Sequence, residues 1–95
     1  MDPFFFEEKT RDAAGRRAVL DSMLPKLEAM EEGGNMSLDE AEERIATLGR
    51  MAWTVDVVAV RAKGPREKAE IESIRGRIAV TRRELQRSLR GSGNR

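Results

Sequence analysis

The sequence predicts an all-α protein folded as an up-down-up antiparallel three-helix bundle. Aromatic residues make up 4% of the 95-residue chain, against 39% hydrophobic and 37% charged; that mixture is too apolar for a disordered chain and too poor in aromatics for a β-sandwich. Apolar residues recur at spacings of three and four in three separate stretches, the period of one face of a helix. Two clusters of helix-ending residues, Gly33-Gly34-Asn35 and Gly64-Pro65, divide those stretches.

The first helix, α1, is expected over residues 3–32. Asp2 can cap it, Pro3 suits its first turn, and Glu7 and Glu8 favour the positive end of the dipole. Its seam runs Phe6, Ala13, Leu20 and Leu27, flanked by Met23, Leu24 and Met30. Pro25 cannot donate to the carbonyl of Asp21, so a kink or short break is expected there, at a cost of about 3 kcal/mol. Ser37 and Glu40 then have the form of a capping box and open α2, expected over residues 38–63. Its seam of Leu38, Ala41, Ile45, Leu48, Ala52, Val55, Ala59 and Ala62 alternates spacings of three and four without a miss. After Gly64-Pro65, α3 is expected over residues 66–90, with Ile71, Ile74, Ile78, Thr81, Leu85 and Leu89 on one face. Residues 91–95, rich in glycine, are expected to begin a flexible linker.

Three such helices on short connections can bury their stripes only against one another, with sequential neighbours antiparallel. The glycines inside them, Gly15, Gly49 and Gly76, each cost about 1 kcal/mol relative to alanine, and are expected where helices cross closely. The chain length allows one domain, over residues 1–90. The seams can all be satisfied within one chain, so a monomer is expected.

No cysteine and no histidine occur, which removes thiol and imidazole nucleophiles, disulfides and the usual zinc ligands. The adjacent carboxylates Glu7-Glu8, Glu31-Glu32, Asp39-Glu40 and Glu42-Glu43 point to different sides of a helix, whereas a catalytic pair needs a shared cleft. No phosphate-binding glycine loop is present. The expectation is a non-enzyme with no catalytic, cofactor or metal site and no small-molecule substrate. The longest apolar run, residues 57–60, is far short of the roughly 20 residues that span a bilayer, so the chain is expected to be soluble and cytosolic.

The net charge of +1 conceals an asymmetry, because residues 65–95 hold 9 basic and 4 acidic groups while residues 1–36 hold 5 and 8. In α3, Arg83, Arg87 and Arg90, with Arg82 beside them, form a positive stripe opposite Ile74 and Ile78. Such a stripe suits nucleic acid, acidic lipid or an acidic protein, or it simply complements the acidic α1. No aromatic interleaves with these arginines to stack on bases, which counts against nucleic acid. A second feature is Trp53 with Val57 and Val60, rotated well away from the centre of the α2 seam. Either α1 and α3 wrap α2 from two sides, or part of this stripe is an exposed partner site. Phe4 and Phe5, at the free end of α1, are the third candidate contact.

The order of short motifs resembles one family. Asp2-Pro3-Phe4-Phe5 opens the chain, Arg50-Met51-Ala52-Trp53-Thr54-Val55-Asp56 lies mid-α2, and Glu70-Ile71-Glu72 precedes Arg75, Ile78 and Thr81-Arg82 in α3. Together they are similar to the N-terminal domain of the syntaxin-6 family of SNARE proteins, which begins with an Asp-Pro-Phe tripeptide and carries an Arg/Ser-Ile-Glu-Trp-x-hydrophobic-Asp motif in its second helix. The likeness covers residues 2 to about 90. It departs at Pro25 and at the connection Lys63-Gly64-Pro65-Arg66, which is shorter than the family's loop. The resemblance implies a regulatory Habc-type domain of a Golgi or endosomal Q-SNARE on the cytosolic face of those membranes. Its partners would be tethering-complex subunits, regulatory factors, other SNAREs or its own SNARE motif, with membrane attachment through a C-terminal region beyond this sequence. Two alternatives stand beside it: a basic-faced bundle binding nucleic acid, and a structural helical oligomerisation module.

Overall fold

The computed structural model describes residues 9–93, with side chains for residues 9–89. Within that range the chain forms three helices, α1 (Ala13–Glu32), α2 (Leu38–Arg61) and α3 (Pro65–Gly93), and no strand. They form the expected all-α three-helix bundle. Cross-helix contacts fix its direction: Asp56 of α2 meets Arg75 of α3, and Gly49 lies against Arg82, so α2 and α3 are antiparallel. Arg16 meets Glu67 and Glu31 meets Arg77, so α1 and α3 run in parallel.

The core joins Val19, Leu20 and Leu27 of α1, Leu48, Met51, Val55 and Val58 of α2, and Ile71, Ile74, Ile78 and Leu85 of α3. The packing is closest between α2 and α3, and α1 lies on them as a third wall. On α2 the buried line is rotated from the expected seam. Met51 and Val58 are buried, Ile45, Ala52, Ala59 and Ala62 flank the core, and Leu38 is exposed. A helix held between two neighbours centres its burial between them, and the larger side chains Met51 and Val58 gain more from leaving water than the alanines do.

The ends of the helices follow local chemistry. Ser37 caps α2 by accepting the backbone N–H of Glu40 at 3.1 Å. Gly33, at φ +69° and ψ −134°, takes a positive-φ conformation open to glycine and ends α1, its N–H donating to the carbonyl of Met30. Gly91 and Gly93 do not take it, so α3 extends to Gly93, beyond the expected linker boundary. Pro25 does not break α1, which is continuous around it. Both Pro25 and Asp21 are exposed, so the carbonyl deprived of its donor faces water. Gly76 has open space where its Cβ would stand, so no close helix crossing requires it. Gly15 is required for a different reason: its Cβ would overlap the carbonyl oxygen of Lys9 in the turn before α1.

That turn interrupts the helix expected to run unbroken over residues 3–32, whose start at residue 3 lies outside the described residues. Residues 10–12 are not helical, and Asp12 caps α1 by accepting the N–H of Gly15 at 2.7 Å. Ala13, expected in the seam, is exposed, and Phe6 lies outside the described residues. What holds the turn is Arg16, a buried arginine with only 3% of its surface exposed. Its guanidinium donates from Nε and Nη2 to the carboxylate of Glu67, and from Nη1 to the carbonyls of Thr10 at 2.9 Å and Arg11 at 3.1 Å. Glu67 also accepts the N–H of Lys63 at 3.3 Å. One ion pair thus ties the entry to α1 onto the α2–α3 connection. A second pair, Arg77 donating to Glu31 at 2.6 and 2.9 Å, fastens the other end of α1 to α3.

These contacts give two expectations. Leu48→Asp and Ile78→Asp each place an unpaired carboxylate in the core, at a cost of about 3–5 kcal/mol, against a total stability of roughly 5–14 kcal/mol for a chain of this size. Circular dichroism on heating should show the cooperative transition lost or lowered by well over ten degrees in both. The second concerns pH. The hydrogen bond from Arg16 holds the Glu67 carboxyl below its ordinary value of 4.5, and that from Arg77 does the same for Glu31. Groups depressed by folding contribute stability above their unfolded value and lose it as the pH falls through the folded one. The melting temperature should therefore fall as the pH drops below about 4.5, and Glu67→Gln should flatten that fall.

Candidate functional site

The surface to be explained is the outward side of α2 and its junction with α3. Because Leu48, Met51, Val55 and Val58 turn inward, the opposite side of α2 cannot reach the core. Trp53 is 53% exposed and Val60 85% exposed. Ala46 is exposed as well, and Gly49 is half-buried between them. Val57 departs from this group: it is half-buried and packs against the core. Of the two arrangements the spacing allows, α1 and α3 therefore leave Val60 largely and Trp53 about half exposed while Val57 turns in.

Charge along the α2–α3 junction is unevenly compensated. Asp56 accepts from Arg75 at 2.9 Å, and Arg75 also reaches Glu72 at 2.5 Å. Further along α3 the pairing stops. Arg82, Arg83 and Arg87 are exposed and make no ion pair with any described residue. Glu84, the acid nearest Arg87 in sequence, is exposed and makes none either. Arg82 extends toward α2, its Nη2 lying 3.9 Å from where a Cβ on Gly49 would be. Arg82 and Arg83 line a cleft with Ala52 and Ala79, one turn from Trp53. On α2 itself Arg50 donates to the hydroxyl of Thr47 at 3.0 Å and has no acidic partner among the described residues. The outward apolar side chains of α2 are thus bordered by cations.

The suggestion that α3 complements an acidic α1 holds only in part. Arg77 meets Glu31, but at the other end the polarity reverses, with Arg16 and Arg17 of α1 meeting Glu67 and Glu70 of α3. The candidates Phe4 and Phe5 lie outside the described residues, as does the side chain of Arg90. Arg16 and Glu67 were not singled out from the sequence, although a signal existed. Arg16 stands four residues before Leu20 and Glu67 four before Ile71, so each occupies a seam position where a charge needs an opposite partner.

Among the clefts along helix junctions and turns, five of 350–470 Å³ are lined by residues other than Trp53, Val57 and Val60. Trp53 and Val60, exposed on the side of α2 opposite its buried residues, stand outside these clefts as an outward ridge. No described helix is long and apolar enough to cross a membrane. Comparison with protein-family models, curated proteins and solved structures finds no match to this chain.

An outward Trp53 carries an expectation. Trp53→Ala and Val60→Ser should lower stability by less than about 1 kcal/mol, the range of surface substitutions, and thermal denaturation of each variant beside Leu48→Asp should show the contrast.

Proposed function

We propose that the chain is a regulatory three-helix domain of the Habc type, similar to that of the syntaxin-6 family, which binds tethering and regulatory proteins of the Golgi and endosomal fusion machinery. The observation that supports it best is the position of Trp53. The tryptophan of the Arg50-to-Asp56 motif is surplus to a core that closes without it, and a large exposed aromatic is a typical anchor for a partner. The order of the terminal and α3 motifs supports the same reading. On it, Phe4, Phe5 and the outward face of α2 are the two contact regions, with Arg82, Arg83, Arg87 and Arg90 steering acidic partners by long-range attraction.

The test is capture by the immobilised 95-residue chain of purified Q-SNARE motifs and tethering-complex subunits. At least one should bind, and alanine at Phe4 and Phe5, or at Trp53, should weaken that binding while the melting temperature stays unchanged. Binding of none of them, or binding indifferent to both sets of substitutions, would contradict the proposal. Strong binding of an oligonucleotide that weakens steeply with added salt would favour the nucleic-acid alternative instead.

A further inference from the structure

We propose that the outward ridge of α2, with Trp53 and Val60 at its crest and Arg50, Arg82 and Arg83 beside it, docks directly on the surface of an anionic lipid bilayer. This goes beyond the partner-binding reading and does not depend on it.

Three observations lead to a bilayer. The first is shape. Trp53 and Val60 are exposed and stand outside the five clefts described above. A protein helix is usually held in a groove, whereas a ridge enters a fluid phase that deforms around it. The second is side-chain chemistry: tryptophan is the residue that settles at the headgroup level of a membrane, with its ring in the acyl boundary and its N–H among polar groups, and Val60 adds a branched apolar side chain two turns further along the same face.

The third is charge. Arg82 and Arg83 make no ion pair with a described residue, and Arg50 bonds only a threonine hydroxyl. Arg82 lies against Gly49, one turn from Trp53, so its guanidinium reaches the headgroup layer when the indole enters it. Of the acids at the α2–α3 junction, Asp56 and Glu72 share Arg75 and are partly neutralised, and Glu84 beside Arg83 offsets one of the three cations. Each cation held near an anionic surface strengthens partitioning by about fivefold, and shallow apolar insertion adds to that.

Flotation and tryptophan emission with the full 95-residue chain test the proposal. The probes are vesicles of phosphatidylcholine alone and vesicles with about 30% phosphatidylserine, the class of anionic lipid that sets the cytoplasmic surface potential. The expected result is flotation with the anionic vesicles, a blue shift of Trp53 emission, quenching by lipids brominated near the headgroup, and release by salt. Arg82→Glu with Arg83→Glu should reduce binding at least about tenfold, and Trp53→Ala with Val60→Ser should reduce it several-fold, each with the parent melting transition retained. No flotation at low salt would overturn the proposal, as would equal binding to neutral vesicles or binding without any change at Trp53. A Trp53 shift produced by a purified protein partner but not by vesicles would assign the ridge to protein, overturning the lipid contact while leaving the partner-binding reading intact. Vesicle binding by a chain that captures no protein would do the reverse.

Discussion

The rest of this structure depends on the burial of one apolar seam shared by α2 and α3. Leu48, Val55 and Val58 have no exposed surface, and Ile71, Ile74 and Ile78 are each at most 4% exposed. A chain with no disulfide and no metal-binding histidine or cysteine has little else to offset the entropy of ordering it. The short connection through Gly64 makes the two helices an antiparallel hairpin, and its preference for a fixed rotation of each helix decides which residues are left outside. α1 adds Val19, Leu20 and Leu27 to the same core and is located along its axis by charge, through Arg16 to Glu67 at one end and Glu31 to Arg77 at the other.

The functional argument follows from that rotation. Once Met51 and Val58 are buried, Trp53 and Val60 face away from the core and cannot be reclaimed by it. The same geometry places Arg82 across Gly49, its guanidinium lying close to α2. An apolar ridge and its flanking cations are therefore produced by the packing of the other face. The arginines that hold the bundle together, Arg16, Arg17, Arg75 and Arg77, each have a carboxylate. Arg50, Arg82 and Arg83 have none among the described residues, and contribute charge to the surface.

Much of this was legible in the sequence, because the signals involved are local. Ser37 with Glu40, the glycines at 33 and 34, and Gly64-Pro65 specify ends through their own backbone chemistry, and Leu20, Leu27, Leu48, Ile71 and Ile78 fall on a helical period. The phase of burial on α2 was less so, since an unbroken run of alanines and leucines at spacings of three and four looks like a core face whether or not the larger Met51 and Val58 compete with it. The break at residues 10–12, after which α1 opens at Ala13, was not legible. Its position is set by Arg16, whose partner Glu67 lies 51 residues away in sequence, and a contact of that range has no local signature. Pro25 misled for the opposite reason: its cost is real, but it falls on the solvent side, where water can donate to the carbonyl that the helix leaves unpaired. The candidate surface was half legible, in that the apolar stripe was visible but its inward member, Val57, was indistinguishable from Trp53 and Val60.

The central claim, that packing turns Trp53 outward into a cationic surround, is tested most directly by quenching its fluorescence in the free chain, with Trp53 the sole tryptophan. The account predicts ready quenching by acrylamide, and more efficient quenching by iodide than by caesium because Arg50, Arg82 and Arg83 attract the anion. An emission protected from all three quenchers, or one quenched more by caesium than by iodide, would contradict it.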